Sequence, residues 1–465
     1  MENKCEKQCD EAQLLWTIRG EVYDLRDWED HHPGGRRILD ISKGTDCTVM
    51  FESYHTFANI SVHKKLASMK VRDALPEEMD ASHMWNWDNA PKLDLVRAKV
   101  KQYFIDTKQS HKATSGGLAF LGLATLVLVT QGFNWLMTGN VISAILFGVC
   151  IVYSAGDWSH SGTHYSIFRS PKVNIVGAHV LGWFHHITRV WEQQHVFSHH
   201  AFVNIDGKDP DMYHFETNSV VLPIFPGWIL TSSSPFHYVF KLWRLFFVPY
   251  LFLAGIGPAL AESVEFMVFS RIIRFHTVPY GGKTPAPVSR WTMSIMCFQW
   301  STFLCALVYT IHNYGFIIGF MPFAVHGTIF YLLSQVSHAN HESGAINPDT
   351  HKLSSLDPLS SRFVVDPVST CRKEEWVEHQ FDTAAGDYSV NNTVANYLSL
   401  GLHLQAVHHI FPNIHWTHYP ALYPIVCAAL NREGVAFKHS YYDSFMMHLS
   451  HIGNLNDSDI NKKLD

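Results

Sequence analysis

Four long apolar runs, arranged as two close pairs, constrain this chain more than any other feature. Residues 118–137 and 141–156 are separated by a three-residue link, and 291–311 and 315–335 by another. Roughly 20 apolar residues let an α-helix cross the hydrocarbon core of a bilayer, so each pair predicts a transmembrane helical hairpin. Only 16% of the 465 residues are charged, against about 25% in a typical soluble domain. The hairpin tips carry no Lys or Arg, whereas Lys108, Lys112, Arg169, Lys172, Lys283 and Arg290 flank the opposite ends. Positive residues favour the cytosolic side. The N-terminal region, segment 157–290 and the C-terminal segment are therefore expected to face the cytosol. The apolar stretches 220–230 and 245–260 are each broken by two prolines and are expected to be interfacial or re-entrant.

The eight cysteines form no CxxC pair, so neither a zinc ribbon nor a disulfide framework is indicated. The polar N-terminus has no signal-peptide core, which predicts that the front of the protein stays in the reducing cytosol. A net charge of −6 without a long basic run argues against a nucleic-acid partner.

Histidine is the unusual residue. His160 and His164 stand in HSGTH, just past the second span. His195, His199 and His200 stand in HVFSHH, and His408 and His409 follow Gln405 in QAVHH. His338 lies just past the fourth span. On a helix, residues four apart share a face, so His160/His164 and His195/His199 can each reach a common metal. His200 is offset by about 100° and is available to a second one. Eight imidazoles exceed what one tetrahedral zinc uses, and imidazole suits iron, copper, zinc and nickel. A lone histidine near a membrane surface is usually a polar filler, and His185, His186, His312, His326 and His341 are read that way. Asp157, Glu192, Asn204, Asp209 and Asp211 are candidates for orienting the imidazoles, with solvated loop acids as the alternative.

At these residues the chain resembles the membrane fatty acid desaturases, whose three histidine boxes bind two iron ions. NIDGKDPD after the second box and HHIFPNIHWTHYP around the third belong to the same likeness. The resemblance implies that His160, His164, His195, His199, His200, His408 and His409 hold a di-iron centre. It adds His338 as a ligand from outside the boxes, and O2 as co-substrate. Gln405 in place of a first histidine is the mark of the front-end subgroup and stands as a further candidate metal ligand.

The front quarter carries a second pattern. His32 opens HPGG, a turn in which proline fixes φ and the glycines permit unusual backbone shapes. His55 follows 23 residues later in FESYH. Flanked by Leu39, Val49 and Phe51, the two histidines could grip a flat macrocycle from both faces, while His31 should point elsewhere. Residues 10–75 resemble cytochrome b5, which implies that His32 and His55 are the axial ligands of haem b. With both axial sites filled, such a haem carries electrons and does not activate oxygen. The link 76–112 is expected to let this domain move while keeping it close, its last part forming an amphipathic helix.

The implied architecture is multi-domain. A small α+β cytochrome b5-like domain (10–75) precedes an all-α integral membrane desaturase domain (113–450) with four transmembrane helices and a cytosolic helical cap. The implied activity is front-end desaturation, at Δ5, of a long-chain polyunsaturated acyl group carried on CoA or phospholipid. NADH–cytochrome b5 reductase would be the electron donor, and the endoplasmic reticulum membrane the site. Competing readings are a sphingolipid long-chain-base desaturase or lipid hydroxylase on the same scaffold, and a non-catalytic membrane haem carrier, which would need no histidine boxes.

Overall fold

A computed structural model of the protein describes residues 15–57, 60–79, 84–204, 209, 290–334, 336–337, 375–384, 386–432 and 439–454. His338, His341, Asp211 and the stretches 220–230 and 245–260 lie outside them.

The front domain is built on a three-stranded antiparallel sheet, β1 Trp16–Ile18, β2 Glu21–Tyr23 and β3 Lys70–Asp73, in the order β1-β2-β3. Arg19 and Gly20 close the first hairpin with φ of 51° and 73°, the positive pair that a tight two-residue turn requires. The register sets Trp16 opposite Tyr23, and both are buried beside Ile18 and Leu25. Short helices Arg36–Ser42 and Thr48–Tyr54 complete the core.

Among the described residues, four helices are long and apolar enough to cross a membrane: Ser115–Thr138, Val141–Thr163, Arg290–Tyr314 and Phe316–Ser334. Helices satisfy their backbone polar groups internally, as a hydrocarbon medium demands. Leu123, Phe133, Ile142, Trp291, Phe298 and Ile317 project outward and exposed, an apolar belt of the kind a lipid bilayer covers. The Thr114 hydroxyl accepts from Gly117 N–H to start the first helix, and Asn140 caps the second through Ser143 N–H. The two hairpin tips meet. Tyr314 Oη donates to Leu136 O (3.3 Å) and Trp135 Nε1 to Ile318 O (3.0 Å). The boxes therefore lie at the opposite end of the bundle from both tips.

The link differs from a loose tether. Trp85 and Trp87 are buried, packing on His379 and Trp376 respectively. Helix Pro91–Thr107 buries Leu93, Val96, Val100 and Phe104, an i, i+3, i+4 stripe that packs on helix Tyr419–Leu430. Its Arg97 donates to Glu52 Oε2 at 2.8 Å, tying the front domain down. Burial of two indoles outweighs the polar letters around them.

Candidate metal centre

Each box sits on its own element. His160 occupies the last turns of the second span, and His164 caps its end with its N–H on His160 O. The second box lies in a π-helical segment, Glu192–His199, flanked by short α-helices. There the His200 N–H reaches His195 O, five residues back. This wider winding corrects the expected 100° offset, because it swings His200 back toward His195. The third box forms helix Gln405–Ile410, whose first N–H groups, of Gln405 and Ala406, donate to the two carboxylate oxygens of Asp387 at 2.8 and 3.1 Å. Asp387 thereby satisfies two of that helix's otherwise unpaired donors.

The boxes converge. His160 Nε2 and His408 Nε2 are 3.0 Å apart, and His195 Nε2 and His200 Nε2 are 3.2 Å apart. Ligand atoms of His160, His164, His195 and His408 lie within 4.8 Å of one another, as do those of His200, His408 and His409. The His199 ring is 4.8 Å from that of His409. Two imidazole nitrogens held by one ion at about 2.1 Å stand ~3.0 Å apart at a right angle and ~3.4 Å apart at the tetrahedral angle. The two observed Nε2 pairs have that spacing. His164 Nε2 is buried with no hydrogen-bond partner in the described structure. Burial, then the surrounding imidazoles, holds His195 and His200 well below the ordinary histidine range. Both rings are therefore neutral and offer the lone pair a metal needs. The residues present fit a pair of closely spaced, imidazole-ligated ions, with His408 common to both groups.

The supporting contacts fall differently from the expected ones. Asp209 accepts from His199 Nδ1 at 2.9 Å. Asp157 instead accepts from the Trp416 indole, Glu192 pairs with Arg37, and the Asn204 amide donates to Thr383 O. Tyr419 Oη stands 3.1 Å from His408 Nδ1 and Tyr54 Oη 2.6 Å from His164 Nδ1. Neither tyrosine was singled out from sequence, where nothing but adjacency to His55 and to the third box marks them. Gln405 is buried and its Oε1 has no hydrogen-bond partner in the described structure. His185, His186 and His326 are not surface fillers. All three are buried, with His185 Nδ1 2.7 Å from His326 Nε2, whereas His312 is exposed.

In the front domain a cavity of about 630 Å³ is lined by His32, His55, Leu39 and Phe51, and by Lys112 at the end of the link and Arg169 beyond it. Val49 is buried in the domain core instead. A Cβ on Gly34 would stand 2.9 Å from His32 Cε1, and Gly35 has φ of +87°, so the HPGG turn needs both glycines to present the ring. The His55 Nδ1–H donates to Phe51 O at 2.9 Å, leaving Nε2 to face the cavity. The two ring centroids are 6.1 Å apart. Metal–nitrogen bonds of about 2.0–2.1 Å on both sides, plus the two ring radii, give ~6.3 Å for imidazoles on opposite faces of one haem. Burial lowers His32, with partial opposition from the Gly35 carbonyl, and brings His55 down to about 4. His31 is exposed and stacks on Trp28.

Comparison with known proteins agrees with both halves. The fatty acid desaturase family matches residues 133–441, and the cytochrome b5-like haem/steroid binding domain matches residues 2–75. The chain is 24% identical over 466 residues to the acyl-lipid omega-13 desaturase of Chlamydomonas reinhardtii, covering 93% of this chain and 92% of that protein. It is 24% identical over 465 residues to acyl-lipid (8-3)-desaturase B of Dictyostelium discoideum (97% and 93%). It is 23% identical over 466 residues to Delta(5) fatty acid desaturase A of the same organism (96% and 92%). The buried imidazole cluster at one end of four apolar helices and the match over 133–441 lead to one conclusion: the chain belongs to the fatty acid desaturase family, oxidoreductases that use O2, and carries a cytochrome b5-like domain fused in front.

Proposed function

We propose that the protein is a front-end fatty acyl desaturase. It introduces a cis double bond at Δ5 of a polyunsaturated long-chain acyl group, carried on CoA or phospholipid, with electrons from its own cytochrome b5-like domain. The observation that carries this is the convergence of imidazoles from three separate elements, with Nε2 pairs at 3.0 and 3.2 Å, beside a second histidine pair spaced for a haem. A mere haem carrier gives no reason for the first cluster. In this reading His32 and His55 hold haem b, and His160, His164, His195, His199, His200, His408, His409 and His338 hold two irons. Gln405, whose buried Oε1 has no hydrogen-bond partner in the described structure, is a further candidate metal ligand. Bound iron supplies the dioxygen chemistry that an unactivated methylene requires. The net change takes two hydrogens from adjacent carbons and, with two electrons and two protons, turns O2 into two waters. Asp209 holds His199 with its proton on Nδ1, and Tyr419 orients His408. The shell around them is buried and excludes bulk water. The lysine- and arginine-flanked ends support a cytosolic orientation of the boxes; in this reading the membrane is that of the endoplasmic reticulum and NADH–cytochrome b5 reductase is the electron donor to the haem domain. Δ5 is the position named for one of the Dictyostelium relatives.

Expression in yeast with a panel of polyunsaturated acids, read by gas chromatography, tests this. A Δ5 product that disappears in His199→Ala and His408→Ala, with the haem spectrum intact, is expected. A double bond at Δ4, Δ6 or Δ8 rejects the position, and a desaturated long-chain base rejects the substrate. One iron per chain in place of three rejects the di-iron centre.

A further inference from the structure

The front domain is docked with one haem-ligand segment against the second box and the other against the first and third. Arg37, two residues beyond Gly35, donates Nε and Nη2 to the two oxygens of Glu192 at 2.5 and 2.6 Å, and Glu192 stands three residues before His195. The other segment ends at Tyr54–His55. Asn413, just past the third box, donates Nδ2 to Tyr54 O at 2.9 Å. Tyr54 lines the same cavity as the haem-domain histidine pair, and its Oη lies 2.6 Å from His164 Nδ1, the rings stacked at 25°. His164 keeps its Nε2 buried and without a protein partner in the described structure. A metal on Nε2 leaves the imidazole proton on Nδ1, so Nδ1–H donates to the phenol oxygen.

Resting on the ligand roles proposed above for His55 and His164, we infer that Tyr54 couples the two redox sites. From the His55 ring the connection runs through one peptide to the Tyr54 side chain, then across a single 2.6 Å hydrogen bond to His164. It is covalent everywhere except at that bond. The step moves one electron. Ferrous haem becomes ferric and one ferric iron of the pair becomes ferrous, while the Tyr54 hydroxyl and His164 Nδ1 keep their protons. The Arg37–Glu192 clamp is the second fastening and holds the phenol in register, which makes Arg37 a positioning residue.

The test uses the full-length holoprotein in detergent, without O2 and without substrate. A photoreductant reduces the haem in a flash, and the return of its ferric spectrum reports transfer to the diferric pair. Tyr54→Phe keeps the ring and removes the oxygen. It is expected to retain three irons per chain, an unchanged haem spectrum and an unchanged haem potential, while transfer slows by about fivefold or more, the factor equivalent to one net hydrogen bond of ~1 kcal/mol. Arg37→Ala is expected to slow the same step by loosening the docked state. Wild-type transfer rates in Tyr54→Phe overturn the inference. Loss of iron in Tyr54→Phe also overturns it, because the phenol would then serve only to hold His164. A wild-type chain that shows no haem-to-iron transfer rejects the desaturase reading itself, a result distinct from a Tyr54→Phe protein that matches an active wild type.

Discussion

Replacing Asp209 with alanine isolates the contribution of one carboxylate to metal binding. Its Oδ1 accepts from His199 Nδ1 at 2.9 Å and its Oδ2 from Asn204 N–H at 2.7 Å, with both side chains of the His199 pair almost fully buried. Hydrogen bonds to a charged group contribute roughly 1.5–3 kcal/mol each. Removing a partner of a ligating histidine typically costs about 10–100-fold in metal affinity, or ~1.4–2.7 kcal/mol. The His199 bond alone is large enough to supply that loss, while the Asn204 bond fixes the chain just after the box. Asp209→Ala is therefore expected to weaken non-haem iron binding by about 10–100-fold. Asp209→Asn, which keeps an acceptor but no charge, should fall between. The assay titrates purified protein with an iron chelator and measures metal by mass spectrometry, with haem absorbance as the internal count. An Asp209→Ala protein that surrenders its two non-haem irons at the same chelator concentration as wild type would refute the orienting role.

Three further outcomes are expected. His32→Ala should abolish the low-spin haem spectrum while His31→Ala leaves it unchanged; a low-spin spectrum surviving in His32→Ala would reverse the assignment. Burial pushes the Glu52 carboxyl up, but the charges of Arg97 and Arg19 outweigh it and hold the group below its ordinary value of 4.5. A carboxyl lowered by folding stabilises the protein above that value, and the stabilisation is lost as pH falls through the folded value. Thermal stability of wild type should thus drop more steeply below pH 4.5 than that of Glu52→Gln, which at neutral pH is itself expected to be less stable by about 2 kcal/mol. Trp85→Ala empties a buried site against His379 and should cost about 3–5 kcal/mol, seen as an earlier melt of the haem domain's attachment by limited proteolysis within the link.

The spans were legible because a hydrocarbon medium leaves few ways to satisfy a backbone, and about 20 apolar residues in a row have few other uses. The boxes were legible because histidine is rare and the spacings recur. Their partners were not. Tyr54 lies 110 residues from the His164 it touches, and Tyr419 and Asp387 reach the third box from other elements 11 and 18 residues away; a lone tyrosine or aspartate carries no local signal of such a contact. Asp157 and Glu192 showed the reverse fault: nearness in sequence to a box suggested an imidazole partner, yet an indole and two arginines claim them. The link was misjudged because MWNW reads as irregular among its polar neighbours, although two indoles are what most favours burial. The paired, buried His185 and His326 were likewise indistinguishable from surface fillers when only their letters were known.

The broad winding at 192–199 separates the count of residues in a motif from the geometry that the motif delivers. An ordinary helix with two residues between the first histidine and the HH pair, and a five-back winding with three, spread their three rings over a similar arc of roughly 100°. An inserted residue is absorbed as phase rather than as displacement. Ligand assignment in such chains should accordingly follow the hydrogen-bond period of the helix, and two boxes of unequal length can encode a single coordination geometry.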